Sequence, residues 1–193
     1  MKSIAVFCGS SDGNDDIILQ EAYQLGETLA KKKIKLIYGG SQLGLMGQVA
    51  NGVLENGGDV TGVIPDFLQT KEVVHPNLPQ LVVTQDMHER KMKMHELSEG
   101  FIALPGGFGT FEELFEIITW AQLGLHQHPI GLLNSNGYYD ALIEMLKTMV
   151  RKGLLKKANF DLLLVAEDIE ELLEKMANFK PLAVPKWLNK SQT

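Results

Sequence analysis

The sequence FIALPGGFGTFEEL, residues 101–114, contains the signals that decide the fold. It begins with an apolar run over residues 101–104, which predicts a short buried strand. A Pro-Gly-Gly turn follows and leads into a helical pattern that contains two glutamates. A strand, a glycine-rich turn and a helix form the repeating unit of a parallel α/β sheet, in which ligands bind at the carboxyl ends of the strands. We therefore expect a binding site at this turn.

The same alternation extends over the rest of the chain. Six further apolar runs of four or five residues predict strands that are covered on both faces, as in a parallel sheet; they are residues 4–8, 34–38, 60–64, 81–84, 130–133 and 162–165. Helical patterns lie between the strands, over about residues 17–33, 45–54, 86–98, 110–123, 138–151 and 166–176. The sequence predicts an α/β fold, a Rossmann-like doubly wound parallel sheet with helices on both faces. A single domain should cover residues 1–180, followed by a peripheral tail, residues 181–193.

Composition excludes several classes of protein. The chain has 193 residues, a formal net charge of −6 and a single cysteine, Cys8, so no internal disulfide can form and a cytoplasmic location is expected. The negative charge argues against a nucleic-acid partner. No run approaches the ~20 apolar residues that a membrane span needs, and the short apolar run at the amino terminus predicts a strand rather than a signal peptide.

Three glycine-rich turns follow predicted strands, at residues 8–11, 39–47 and 105–110. Each one alone could serve only to permit a tight turn. Three such turns at one edge of the sheet favour a shared crevice for an anion or a nucleotide. The third turn lacks the Gly-Lys-Ser/Thr of a P-loop and also the GxGxxG spacing of a dinucleotide site.

The turn at residues 105–110 leads into a helix whose amino terminus could bind a phosphate, because unpaired N–H groups and the positive end of the dipole point outward there. Thr110 and Glu113 have the spacing of a capping box, so a purely structural role for Glu113 is the alternative. Upstream, helical spacing puts Met87, Arg90 and Lys91 along one side of a helix, where the two cations could meet a phosphate or the carboxylate of Glu113. The alternative for this segment is a solvated charged face.

These motifs together resemble the Lonely Guy family of cytokinin-activating phosphoribohydrolases. The resemblance rests on PGGFGTFEE at residues 105–113 and MHERK at residues 87–91, and it continues through FCGSS at 7–11, YGG at 38–40 and WAQLG at 120–124. It covers nearly the whole chain. Members of this family were formerly labelled lysine decarboxylases, but no lysine in this sequence lies in a recognisable cofactor-binding setting.

The resemblance implies a nucleotide-binding catalytic domain that is generally dimeric and needs no cofactor. Its members hydrolyse the N-glycosidic bond of adenosine 5′-monophosphates that carry an N6 substituent, and release the free base and ribose 5-phosphate. The catalytic pair of the family maps onto Arg90 and Glu113. The positions that contact the nucleotide map onto Glu72, Arg90, Lys91, Gly107, Phe108, Gly109, Thr110, Phe111, Glu112, Glu113 and Thr119. We also expect Gly9, Ser10 and Gly106, in the glycine-rich turns, and Met87, beside Arg90, to bind the substrate. No metal site is expected, because the histidines are scattered without the spacing of ligands.

The chemistry of the residues agrees with this implication. Cleavage of a glycosidic bond passes through an oxocarbenium-like state, which a carboxylate such as that of Glu113 stabilises while it holds a water. Arg90 could orient that carboxylate, or pair with the phosphate or the leaving base. Two alternatives stay open: a carrier of a nucleotide-like cofactor such as molybdenum cofactor, and a broader glycosidase for AMP. The apolar stretch at residues 117–121 further predicts a homodimer, because a helix that is apolar on most sides must be covered.

Overall fold

A computed structural model describes residues 1–69 and 74–181 of the chain. Within these residues lies a parallel sheet of seven strands in the order β4-β3-β2-β1-β5-β6-β7. The strands are β1 (Ser3–Phe7), β2 (Lys35–Tyr38), β3 (Val60–Pro65), β4 (Gln80–Thr84), β5 (Phe101–Ala103), β6 (Ile130–Leu133) and β7 (Leu163–Ala166). Every predicted strand is present, with bounds shifted by one residue at most.

Helices cover both faces of this sheet. Those in the described part of the chain are α1 (Asp16–Lys31), α2 (Gly44–Glu55), α3 (Met87–Glu96), α4 (Phe108–Gln122), α5 (Asp140–Arg151), α6 (Lys157–Phe160) and α7 (Ile169–Ala177). Alternate residues of β1 point to opposite sides. Ile4 and Val6 pack in a core with α1, α2 and α7, whereas Ala5 and Phe7 pack in a second core with α3, α4 and α5. The predicted doubly wound α/β architecture is confirmed.

Several predicted helix bounds are wrong. Helix α4 begins at Phe108 rather than at Thr110, because Gly107 supplies the extended backbone of the N-cap. Helix α5 begins only at Asp140, and the short helix α6 was not predicted. Residue 166 ends β7 instead of beginning a helix, and α7 starts after Asp168, whose side chain accepts a hydrogen bond from the N–H of Glu171.

The order of the strands positions a crevice. The direction of winding changes between β1 and β5, which are neighbours at the centre of the sheet. The loops that leave these two strands separate to opposite faces, which opens a crevice at their carboxyl ends. A hydrogen bond of 3.0 Å from the N–H of Gly9 to the carbonyl of Pro105 joins the two loops at its base.

Two segments lie outside the described residues, 70–73 and 182–193. The first contains Glu72, and the second makes up nearly all of the predicted peripheral tail. The organisation as one domain over residues 1–180 stays a prediction. None of the described helices is both long and apolar enough to cross a membrane.

Candidate active site

A cavity of about 290 Å³ opens at the carboxyl edge of the sheet, between the ends of β1 and β2 and the helices α3 and α4. Most of the residues predicted for the site meet there: Gly9, Ser10, Met87, Arg90, Gly107, Phe108, Gly109, Thr110, Glu112 and Glu113. Five further residues line it that the sequence analysis did not assign to the site: Val6, Cys8, Gly39, Met46 and Met94. Cys8 and Gly39 lie in the glycine-rich turns, so their position at the strand ends was a usable signal. Helical spacing puts Met94 on the same side of its helix as Arg90, which was a further signal, whereas Met46 follows an ordinary core pattern and gave none.

The amino terminus of α4 opens into this cavity. Its N-cap is Gly107, and no side chain in the described part of the chain caps it. A methyl group added at Gly107 or Gly109 would meet nothing within 4 Å, so the space over the first turn is open. Exposed N–H groups at a helix start attract an anion. The alternative that Thr110 and Glu113 form a capping box is wrong, because Thr110 lies inside the first turn and Glu113 in the second.

Two tyrosine side chains form hydrogen bonds with the backbone at the glycine turn before α4. The hydroxyl of Tyr139 donates to the carbonyl of Leu104 at 2.5 Å, and that of Tyr138 donates to the carbonyl of Gly106 at 2.6 Å. A Cβ atom at Gly106 would lie 2.1 Å from the hydroxyl oxygen of Thr110 and 2.8 Å from the backbone nitrogen of Gly9. Only glycine fits there, so the turn and the start of α4 are fixed before any ligand arrives.

Helix α3 brings Arg90 to the opposite wall. At its start the N-cap Asp86 accepts from the N–H of Glu89 at 2.8 Å, and Glu89 accepts from the N–H of Gln85, the residue before the cap, at 2.6 Å. The cap sets the helix so that Arg90, in the second turn, faces inward and is only 7% exposed. The alternative of a solvated charged face is therefore wrong for Arg90.

The guanidinium of Arg90 is oriented by the protein. Its Nε donates to the carbonyl of Val63, within β3, at 3.1 Å, and its Nη1 lies 3.8 Å from the sulfur of Met87. A Cβ atom at Gly39 would lie 2.4 Å from Nη2 and 2.7 Å from the sulfur of Met46. The absent side chain of Gly39 thus creates the space that the guanidinium fills.

A Gly39→Ala substitution tests this arrangement. We expect a loss of activity of about a hundredfold, because the added methyl displaces the guanidinium and a misplacement of about 1 Å in a catalytic constellation is that costly. The thermal melting temperature should change little, since the end of a flexible side chain can move aside. The measurement is kcat/KM of the purified variant together with its melting curve. A variant with wild-type kcat/KM would show that Arg90 needs no such placement.

Glu113 faces Arg90 across the cavity. Its Oε1 lies 3.8 Å from Nη1 of Arg90, and the residue is 9% exposed. Burial raises the pKa of Glu113 to about 7; the Arg90 charge opposes this rise, and the neighbouring carboxylate of Glu112 adds to it. A buried carboxyl group with a pKa near neutrality beside an oriented cation is typical of a catalytic group.

Four other predicted residues lie away from this cavity. The ammonium of Lys91 lies between Glu112 and Glu116. Phe111 packs its ring against Tyr139, and Gly106 lines an adjoining cavity behind the turn. Thr119 is exposed further along α4, with its hydroxyl bonded to the carbonyl of Phe115. Their roles in binding stay predictions, as does that of Glu72.

The histidines and acidic side chains do not form a metal site in the described part of the chain. Over residues 1–69 and 74–181, no group of three or more His, Cys, Asp or Glu side chains is arranged to hold a metal ion. His126 instead takes part in the core, where its Nε2 lies 2.9 Å from the carbonyl of Ile117 and its Nδ1 accepts from the N–H of His128. Burial lowers the pKa of His126 to about 4, so the ring is neutral.

The fold and the cavity define a Rossmann-like protein with a cavity at the switch point of its sheet, open to the uncapped amino terminus of α4. Residues 46–176 match the model of a family described as "possible lysine decarboxylase". Over 181 residues the chain is 42% identical to the cytokinin riboside 5′-monophosphate phosphoribohydrolase LOG5 of Arabidopsis thaliana, covering 94% of this chain and 79% of the relative. It is 45% identical over 176 residues to the probable phosphoribohydrolase LOGL1 of Oryza sativa subsp. japonica, covering 91% and 79%. The chain belongs to this phosphoribohydrolase family.

The fold is shared with more distant proteins. The molybdenum cofactor carrier protein of Chlamydomonas reinhardtii superposes with a TM-score of 0.68 over 91% of this chain and 94% of the carrier, at 22% identity. Identity at that level shows a common architecture alone. A shared architecture does not define a function, so the side chains in the crevice of this protein must decide it.

Proposed function

We propose that this protein is a hydrolase that cleaves the N-glycosidic bond of an adenosine 5′-monophosphate carrying an N6 substituent. The products are the free base and ribose 5-phosphate. The observation that carries the proposal is the buried pair of Arg90 and Glu113, 3.8 Å apart, beside the uncapped amino terminus of α4. The 42–45% identical relatives named as phosphoribohydrolases support the same reaction.

The geometry suits this reaction step by step. The phosphate binds at the open first turn of α4, where Gly107, Gly109 and Thr110 present their N–H groups. The glycosidic bond then lies near Glu113, one turn further along the helix. As the bond from C1′ to the base nitrogen breaks, the carboxylate of Glu113 stabilises the positive charge that develops on the ribose and holds the attacking water. The water adds its hydroxyl to C1′, and its proton leaves with the base.

The role of Arg90 follows from its fixed position. Because Val63 and Met87 orient the guanidinium, it meets the reacting groups without losing further side-chain entropy. It balances the charge of Glu113 and leaves donors for the phosphate or the leaving base. A carrier of a nucleotide-like cofactor would need the glycine turns but no carboxylate beside the ribose, so this pair favours an enzyme over a carrier.

The test of the proposal is an assay of released base. Purified protein is incubated with N6-isopentenyl AMP and, separately, with AMP, and the bases are quantified by chromatography. We expect release of N6-isopentenyladenine at the higher kcat/KM. A higher kcat/KM with AMP would instead favour the broader AMP glycosidase, and release of neither base would contradict the proposal.

The protein is further proposed to act as a cytoplasmic homodimer. The predicted reason for a dimer was wrong in part: Ile117 and Ala121 are buried in the protein's own core, and Ile118 and Trp120 pack against that core. The structure offers a different reason. Phe108, Phe115 and Thr119 lie along one exposed stripe of α4, and Phe108 is 96% exposed. A partner on this stripe would cover the rings of Phe108 and Phe115. It would also bring Thr119 next to an active site, in agreement with the nucleotide contact that the family resemblance predicts for Thr119.

A charge on this stripe should separate the subunits. We expect Phe115→Lys to convert a dimer into a species at the 21.4 kDa monomer mass and to reduce activity in parallel. Phe115 suits the test because its ring is 38% exposed and does not line the cavity. Leu154→Lys, at a position 84% exposed in the loop after α5, is the matched control and should change neither property. Light scattering during size exclusion measures the mass; a wild-type protein that is monomeric and active would rule out the dimer.

A further inference from the structure

Beside the cavity, Lys91 forms two ion pairs that are shorter than the one between Arg90 and Glu113. Its ammonium lies 2.5 Å from Oε1 of Glu112 and 2.9 Å from Oε1 of Glu116, and its side chain is only 10% exposed. We propose that Lys91 is a positioning residue, which joins α3 to α4 and neutralises the two carboxylates that flank Glu113. This inference rests on the proposed function, because Lys91 would help to keep Glu113 in the ionised form that the proposed reaction needs.

The geometry distinguishes Lys91 from its neighbour Arg90. Successive residues of a helix point about 100° apart, so a side chain next to Arg90 on α3 leaves the cavity wall. Among the described residues that line the cavity, Arg90 is included and Lys91 is not. The ammonium of Lys91 already has two carboxylate partners on α4. A lysine held in this way joins the two helices.

The position of these carboxylates explains why they need a cation. Glu112, Glu113 and Glu116 lie within one turn of α4, so three negative charges are close together. The charged and titratable groups that face Glu113 are Arg90 and Lys91 from α3, Glu112 and Glu116 from α4, and Cys8 from the end of β1. The carboxylates of Glu112 and Glu116 raise the pKa of Glu113, whereas Arg90 and Lys91 lower it.

The ion pairs of Lys91 also fix the distance between α3 and α4. Arg90 and Lys91 are adjacent on α3, and Glu112 and Glu113 are adjacent on α4, so the Lys91 pairs hold the two helices at the separation at which Arg90 faces Glu113. Because Lys91 is largely shielded from water, screening by salt weakens these pairs less than exposed ones. Loss of Lys91 should therefore leave Glu113 in a more negative environment and less exactly opposed to Arg90.

The test is the pH dependence of kcat/KM for Lys91→Met. We expect the midpoint of the acid limb to move upward by about half a pH unit to one unit, with KM changed less than about twofold. Lys91→Arg should restore the wild-type midpoint. Lys93→Met is the matched control, because Lys93 lies on the same helix and pairs with Glu96 while both side chains are exposed; it should leave the profile unchanged.

A second variant should shift the midpoint of the acid limb in the opposite direction. Replacing both Glu112 and Glu116 by Gln removes the negative charges, so the midpoint should move downward. A midpoint that stays fixed in Lys91→Met while KM rises tenfold would overturn the inference and make Lys91 a ligand of the phosphate. If wild-type protein releases no base, the proposed function fails. The role of Lys91 can still be tested by NMR titration of Glu113 in protein labelled with ¹³C-carboxyl glutamate. The pKa of Glu113 should then rise in Lys91→Met and fall in the double Gln variant.

Discussion

Glu113→Gln should lower kcat by at least about a thousandfold while the protein keeps its fold, since a positioned acid–base group alone contributes about 10² to 10⁴ in rate. Glutamine has nearly the same shape, so the packing around the 9% exposed side chain is retained. The amide carries no negative charge, and so it cannot stabilise a developing oxocarbenium ion. KM should change by only a few fold, because the proposed phosphate site lies elsewhere, at the first turn of α4.

The control for this variant is Glu96→Gln, which changes an exposed carboxylate at the end of α3 that pairs with Lys93. It should retain wild-type kcat. Circular dichroism and the melting temperature check that both variants are folded. If Glu113→Gln turns over at a rate near that of the wild type, Glu113 is a structural residue and the reaction needs another group.

The same residue predicts how the rate depends on pH. With its pKa raised to about 7, Glu113 is protonated below neutrality and ionised above it. Because the reaction needs the ionised form, kcat/KM should be lost as the pH falls through 7, to about a tenth of its maximum at pH 6. An exposed glutamate would place this acid limb near pH 4.3. The limb should be absent from whatever activity Glu113→Gln retains.

The second large effect concerns the 5′-phosphate. A nucleoside without it should have a kcat/KM at least about a hundredfold below that of the nucleotide, because two charge-assisted hydrogen bonds contribute about 1.5–3 kcal/mol each and 1.4 kcal/mol corresponds to a factor of ten. The donors are the N–H groups at the start of α4, which no described side chain caps. The measurement is kcat/KM for N6-isopentenyladenosine and its 5′-monophosphate.

A variant at the start of α4 can distinguish binding of the phosphate from cleavage of the glycosidic bond. Gly109→Ala adds a methyl group to space that is open in the structure, so the helix is not strained but the place of the phosphate is narrowed. It should raise KM for the nucleotide and leave the slow hydrolysis of the nucleoside unchanged. Equal turnover of nucleoside and nucleotide by the wild-type protein would remove the start of α4 from the mechanism.

Much of the fold could be predicted from the sequence because it depends on local patterns. Seven short apolar runs identified seven strands, since strands covered on both faces are apolar throughout. The glycine turns then marked the binding edge. The start of α4 was misplaced because Thr110 and Glu113 match a sequence signature for a capping box, whereas the chain uses Gly107, which has no side-chain signal.

The parts of the site that could not be predicted depend on contacts between distant segments. No local pattern indicates that Gly39 leaves room for the guanidinium of Arg90, 51 positions later in the chain. The sequence also could not distinguish the directions of Arg90 and Lys91, because both are cations on one predicted helix face. Packing decides this: Arg90 enters the gap between β3 and Gly39, and Lys91 meets the acidic side chains of α4.

In the proposed reaction, Arg90 and Glu113 act together to hydrolyse a nucleoside 5′-monophosphate at its glycosidic bond. The most direct measurement follows both products of N6-isopentenyl AMP by mass spectrometry, in parallel for the wild-type protein and for Glu113→Gln. We expect the wild type to form N6-isopentenyladenine and ribose 5-phosphate in equal amounts, with neither nucleoside nor free phosphate, and the variant to form almost none of either product. Release of phosphate in place of ribose 5-phosphate, or equal product from the two proteins, would contradict it.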